Sequence, residues 1–281
     1  MIEVFLIAIA IIWIVFAVFS DFKTREVPNW LNFSLIAFAL GSRFFYSLFS
    51  DNFGFFIQGL IGLAIFFVLH NLFYYGRLFA GGDAKLMLAL GPVIPLYSDF
   101  SKNLELFADF FIIFFVAGAG YGIIAAIYSA SRNFSAVKKK FMEKIRTSKK
   151  MMLLIEAGGV ILIVFSVAIT EILMVYAGII VMILPVLYLY AKAIDGTTLL
   201  KTIDSKKLTE GDWLHKNVKA GRKTIIASWG GVTRSEINEI RKFHKKVTIK
   251  EGVPFTPVFL VTILIFAWLY FSGTSLWNSL G

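Results

Sequence analysis

Long apolar runs recur along this chain with short polar breaks between them, a pattern of membrane-crossing helices rather than of alternating strands. One crossing takes about 20 apolar residues. Residues 1–20, 30–49, 55–75 and 107–128 each reach that length, and 84–97 is a shorter run with Pro92 and Pro95 inside it. The stretch 151–191 is roughly twice one crossing, so we divide it near Thr170-Glu171 into two spans. A last run occupies 255–271. The pattern predicts an all-α polytopic membrane protein, a bundle of about eight transmembrane helices. The first run is apolar except for Glu3 and lacks a basic start, so it reads as a retained helix and not as a signal peptide.

Between the seventh and eighth runs lies a polar stretch, 192–252. There Thr233-Arg234-Ser235-Glu236 forms a capping-box pattern that opens a helix through about Lys246, with Ile237, Ile240 and Phe243 at helical spacing. A strand is expected around 224–229. The predicted organisation is a membrane domain over 1–191 with a basic loop at 131–150, a small soluble α/β or α domain over 192–252, and a C-terminal transmembrane helix within 253–281.

Composition agrees with the pattern. The chain is 58% hydrophobic and 16% charged with a mean hydropathy of +0.77, against about 45–50% and about 25% for soluble domains. The absence of cysteine excludes disulfides, thiol catalysis and cysteine-ligated zinc or iron–sulfur centres, and three histidines make a His-rich metal site a poor expectation. No cofactor and no metal are therefore expected.

The net charge of +10 could suggest nucleic acid, but its placement points elsewhere. Lys23 and Arg25 follow the first span, Arg77 and Lys85 the third, eight basic residues against one acid occupy 131–150, and fourteen against seven occupy 192–252. The intervening loops hold one lysine, Lys102. Basic residues accumulate on the cytoplasmic side, so the alternation predicts both termini outside and the basic loops inside, where they meet anionic lipid and not nucleic acid.

Acids in or beside apolar spans are costly and mark candidate chemistry. Asp109 and Glu171 fall at the outer boundary, where water is available, and Glu156 lies about one turn inside the sixth span. Asp21 and Asp83 differ, because the predicted topology brings both to the cytoplasmic boundary at matching depth. Two carboxylates held close cannot both ionise readily and share a proton over a pH window. Such a pair hydrolyses amides: the ionised member takes a proton from water as it attacks a carbonyl, and the protonated member polarises that carbonyl and protonates the leaving amine. Helix capping, or pairing with Lys23, Arg25 or Lys85, is the competing reading of the same two residues.

The stretch Asp21-Phe22-Lys23-Thr24-Arg25-Glu26-Val27-Pro28-Asn29 resembles the first aspartate motif of type IV prepilin peptidases, and Ala80-Gly81-Gly82-Asp83-Ala84-Lys85-Leu86 resembles their second, Gly-x-Gly-Asp, with Ala80 in place of the first glycine. The resemblance implies a membrane aspartic endopeptidase that cuts the short basic leader from prepilin-like or preflagellin (archaellin) precursors at the cytoplasmic face of the cell membrane. It implies Asp21 and Asp83 as the catalytic pair, with Pro28, Gly81, Gly82 and Lys85 shaping the site. Bacterial members carry a cysteine-rich cytoplasmic insertion and an N-methylating activity; this chain has only 22–29 between its first two spans, so peptidase activity without methyltransferase activity is expected. The short first loop, Leu208-Thr209-Glu210-Gly211-Asp212-Trp213 and Gly252-Val253-Pro254-Phe255 are similar to the archaeal branch.

Presenilin or signal-peptide-peptidase type proteases also use two aspartates, but with the first inside a helix after tyrosine, whereas Asp21 follows Ser20. A proton-coupled transporter would use membrane carboxylates as relays, although no internal repeat is evident. A non-catalytic scaffold is the remaining alternative. His70 either tunes the aspartates or hydrogen-bonds within the bundle. Arg43 either snorkels or pairs inside, and Lys85 contacts an aspartate or a lipid phosphate. Gly59-Gly62, Gly118-Gly120-Gly122 and Gly158-Gly159 read as close-packing positions.

Overall fold

The computed structural model describes residues 1–276 apart from 77, 170, 171, 196, 198, 222, 229 and 251. In chain order its helices are α1 (Ile2–Thr24), α2 (Asn29–Ser50), α3 (Phe53–Tyr75), α4 (Gly81–Leu90), α5 (Phe100–Arg132), α6 (Phe134–Ile169), α7 (Ile172–Asp195), α8 (Arg234–Phe243) and α9 (Thr256–Ser272). By length and composition α1, α2, α3 and α5 can each cross a membrane, and α9 and the C-terminal part of α7 are shorter apolar helices. The protein is an all-α polytopic membrane protein with a small sheet-containing region before its last helix. The chain forms two compact units, Met1–Gly122 with Pro254–Gly281, and Ile123–Val253.

In the first unit Leu6, Ile14, Leu35, Phe66, Met87, Phe110 and Phe259 are fully buried and belong to one core. Lipid removes the hydrophobic advantage of helix contact, so close backbone approach and polar pairing hold such a bundle. Gly62 and Gly91 show the first device. A Cβ on Gly62 would lie 2.2 Å from the Gly91 carbonyl oxygen, and one on Gly91 would lie 2.8 Å from that of Gly62, so α3 and the end of α4 touch backbone to backbone.

Arg43 shows the second. The apolar run 84–97 was expected as one span, but the helix stops at Leu90 because Pro92 and Pro95 cannot donate backbone hydrogen bonds. Residues 91–96 continue as buried, non-helical chain whose carbonyls have no helical partner. Apolar surroundings tolerate such backbone only where protein satisfies it. The Arg43 guanidinium, fully buried in α2, does so: Nε donates to the Pro92 carbonyl at 2.6 Å, Nη1 to that of Phe55 at 2.8 Å, and Nη2 to that of Val93 at 3.5 Å and to that of Pro95. Its Cζ stands 4.3 Å from the Phe55 ring centre, over the ring face. A Cβ on Gly59 would lie 2.6 Å from Arg43 Cδ, so that glycine makes room for the side chain. Arg43 therefore pairs within the bundle and does not snorkel.

In the second unit α6 and α7 meet where Gly159 faces the Gly178 carbonyl and Met182. Residues 131–150, expected as a basic loop, are helical apart from a turn at Asn133: 131 and 132 end α5, and 134–150 form the polar start of α6. Lys, Arg, Glu, Met and Ala are good helix formers, and no Gly or Pro interrupts them. The expected break at Thr170-Glu171 lies outside the described residues, as do Glu171 itself and Arg77. A Cβ on Gly118 would make only ordinary contacts, and one on Gly120, Gly122 or Gly158 would meet nothing within 4 Å, so those glycines are not close-packing points.

The small region is built from β1 (Leu200–Asp204), a short 3-10 turn, β2 (Trp213–Leu214), β3 (Val218–Ala220), β4 (Lys223–Ile225), α8 and β5 (Lys246–Lys250). Strands β1 and β2 flank β5 antiparallel, and β3 pairs with β4. Leu214, Ile225, Ile237, Ile240, Val247 and Ile249 form its core. Both arms of the capping box at Thr233 and Glu236 are made. Helix α8 ends at Phe243, short of Lys246, because Lys246 already opens β5. The strand expected at 224–229 is β4, which ends at Ile225; Trp229 lies outside the described residues.

Arg43→Met should lower the thermal unfolding midpoint in detergent sharply, at about 1–3 kcal/mol for each buried carbonyl left unpaired, and Arg43→Lys should recover part of the loss. An unchanged midpoint for Arg43→Met would contradict this role.

Candidate active site

Asp21 lies in the last turn of α1, which runs on to Thr24 past the expected end of the first span at Ser20, and it is 7% exposed. The helix closes at Arg25 in a left-handed conformation (φ 60°), whose N–H returns to the Asp21 carbonyl at 2.9 Å. Ser20 Oγ donates to the Glu26 carbonyl at 2.9 Å, and Thr24 Oγ1 to the Ser20 carbonyl at 2.9 Å. These bonds pin the short turn and bury Val27. Pro28, extended at φ −60° and ψ 138°, then caps the start of α2.

Across from this turn begins α4. A Cβ on Gly82 would lie 3.3 Å from the Val27 backbone nitrogen and 3.4 Å from Val27 Cβ. Gly82 thus sets how closely the start of α4 meets the turn after α1. A Cβ on Gly81 would make only an ordinary 3.6 Å contact with Tyr74, and Ala80 stands outside the helix as its extended N-cap. Asp83 follows in the first turn, ahead of the apolar stretch that begins at Ala84. Burial, and next the charge of Asp21, push its carboxyl up from the ordinary 3.8 to about 7. The two carboxylates are therefore within electrostatic reach of each other.

Lys85 Nζ donates to Asn29 Oδ1 at 2.7 Å, tying α4 to the first turn of α2; its bond goes to neither aspartate. The His70 ring stacks on Tyr74 (centroids 6.1 Å apart), and its buried Nδ1 has no hydrogen-bond partner among the described residues. Asp109, expected at a hydrated boundary, is instead 3% exposed and accepts from Ser275 Oγ at 3.3 Å. Glu26, Lys23 and Arg25 are exposed, and Glu156 is half-buried.

The sequence reading missed Thr256. Its Oγ1 donates to Asp21 Oδ2 at 2.8 Å and its backbone N–H to the same oxygen at 3.3 Å, across 235 positions of chain. The signal available was a hydroxyl directly after Gly252-Val253-Pro254-Phe255, at the start of the last span. Tyr121 was also missed. It lies within reach of the charges of Asp21, Arg25 and Asp83, and its hydroxyl donates to the Pro254 carbonyl.

The sequence model of the Type IV leader peptidase family matches residues 8–127, a stretch that contains both aspartates. Over these residues, fewer than half of the chain, the protein is similar to that family. A preflagellin peptidase of Methanocaldococcus jannaschii is 32% identical over 78 residues, which cover 28% of this chain and 33% of that protein. The chain thus aligns with about a third of the length of that relative. No solved structure matches. In the stretch Ala80-Gly81-Gly82-Asp83, inside the matched residues, the glycine that packs is Gly82, which directly precedes Asp83.

Gly82→Val should therefore destabilise the protein by about 1–3 kcal/mol, while Gly81→Ala should leave the melting midpoint within experimental error; equal effects would remove the packing argument. A carboxyl raised by burial contributes stability in its neutral form, fully present below the ordinary value of 3.8 and lost as pH rises through about 7. Asp83→Asn should accordingly gain on the wild type as pH rises from 4 to 8, by several degrees in midpoint. A pH-independent difference would show that Asp83 does not titrate this way.

Proposed function

We propose that this protein is a membrane-embedded aspartic endopeptidase that removes the short basic leader from prepilin-like or preflagellin precursors at the cytoplasmic face of the membrane, with Asp21 and Asp83 as its catalytic pair and without methyltransferase activity. The observation that carries this reading is the electrostatic pairing of two acids on different helices inside the family-matched stretch. The related preflagellin peptidase supports the substrate class. The basic stretches around the site's side of the chain support the cytoplasmic placement.

The two aspartates have different surroundings, and that divides the labour between them. Asp21, held by two hydrogen bonds to Oδ2, is the general base. Asp83, half protonated near neutral pH, is the general acid. Water between them gives its proton to Asp21 as its oxygen attacks the scissile carbonyl, while the Asp83 proton stabilises the developing oxyanion. The tetrahedral diol collapses with cleavage of the C–N bond, and the leaving nitrogen takes a proton from the pair. The net result is addition of OH to the acyl carbon and H to the amine. A leader carrying basic residues meets local negative charge from Asp21 and Glu26.

The test is cleavage of a precursor with a basic leader, a small residue at the cut and a following apolar helix, by purified wild type, Asp21→Asn and Asp83→Asn in detergent. Wild type alone should shorten it, with a chelator present, and its turnover should fall as pH rises through about 7, where Asp83 loses its proton. Two Asn variants that cut as well as wild type would overturn the assignment.

A further inference from the structure

The carboxylate proposed as base is held by a residue from the far end of the chain. Thr256 is fully buried at the first position of α9, and both of its donors converge on one oxygen of Asp21. An Asp side chain otherwise rotates broadly about its last torsion. With Oδ2 engaged twice, the carboxylate plane is fixed and Oδ1 is the oxygen that remains to meet a water.

The position of Thr256 is itself determined. Tyr121 of α5 donates its hydroxyl to the carbonyl of Pro254, two residues earlier. The Phe255 ring between them packs against Phe79 (centroids 5.4 Å apart), Phe114 (6.0 Å), Phe259 (6.1 Å) and Tyr121 (6.3 Å). Phe79 directly precedes Ala80, the N-cap of the helix that carries Asp83. One aromatic wedge thus fixes the lead-in to α9, which holds Asp21, and the lead-in to α4, which carries Asp83. Among the described residues, the charges of Asp21, Arg25 and Asp83 reach Tyr121, and that of Asp21 reaches Asp83.

We propose that Thr256 is a positioning residue that locks the Asp21 carboxylate with Oδ1 toward the attacking water, and that Tyr121 keeps Thr256 in place through the Pro254 carbonyl. This rests on the reading of Asp21 and Asp83 as the hydrolytic pair. A misplacement of about 1 Å costs on the order of 100-fold in rate, so the effect belongs in turnover and not in substrate binding.

The experiment compares wild type, Thr256→Val, Thr256→Ser and Tyr121→Phe on the same precursor in detergent. Thr256→Val should lose about 100-fold in kcat with KM within about twofold. Thr256→Ser, which keeps the hydroxyl, should restore most of that loss, and Tyr121→Phe should fall between. A Thr256→Val enzyme with wild-type kcat, or a Thr256→Ser enzyme as slow as Thr256→Val, would overturn the proposal. A second measurement needs no cleavage: the midpoint loss caused by Thr256→Val should shrink by more than half in an Asp21→Ala background. Full additivity there would overturn the link between the two residues even if wild type cuts no precursor, an outcome that would count separately against the peptidase reading.

Discussion

A buried guanidinium allows this bundle to contain a broken helix. Where α4 stops at Leu90 the chain stays inside the apolar core, and Arg43 supplies donors to the carbonyls of Pro92, Val93 and Pro95 as well as to that of Phe55 across α3. The fork geometry of arginine suits this task, because one planar group reaches several acceptors at once. Without it the unpaired carbonyls would favour water over protein, and the contact of Gly62 with Gly91 would lose its support.

That arrangement has a consequence at the other end of α4. A helix of ten residues, fixed at its C-terminal end by Arg43 and the glycine contact, presents its first turn beside the turn that follows α1. Gly82 permits the approach to Val27, and Asp83 then lies within the field of Asp21. The N-terminal start of α9 completes the site by holding Asp21 through Thr256. Three segments distant in sequence thus set the relation between two carboxyl groups, each segment fixed by a different physical device: carbonyl satisfaction, absence of a Cβ, and a side-chain hydroxyl.

The similarity to the type IV leader peptidase family over 8–127 covers part of this arrangement. The matched residues include both acids and Arg43, while Thr256 lies beyond them. The environment makes the acids unequal. Asp21 accepts hydrogen bonds, whereas burial and the neighbouring Asp21 charge raise the Asp83 carboxyl to about 7. That inequality suits the separate acid and base roles proposed for the two residues.

The amino-acid sequence by itself determined the membrane character, the positions of the long apolar helices and the capping box at Thr233, and it singled out Asp21 and Asp83 for the proposal. Each depends on run length, local pairing or residue type, which a linear pattern records. It was less informative where helix ends depend on neighbours: α1 continues past Ser20, and 131–150 is helical where a loop was expected. Only the tertiary structure decided that Arg43 would turn inward to carbonyls, that Lys85 would bind Asn29, that Asp109 would be buried, and that Thr256 would hold Asp21. A polar group inside an apolar bundle must find a partner, but periodicity does not say which; packing brings together the residues that answer, here 235 positions apart.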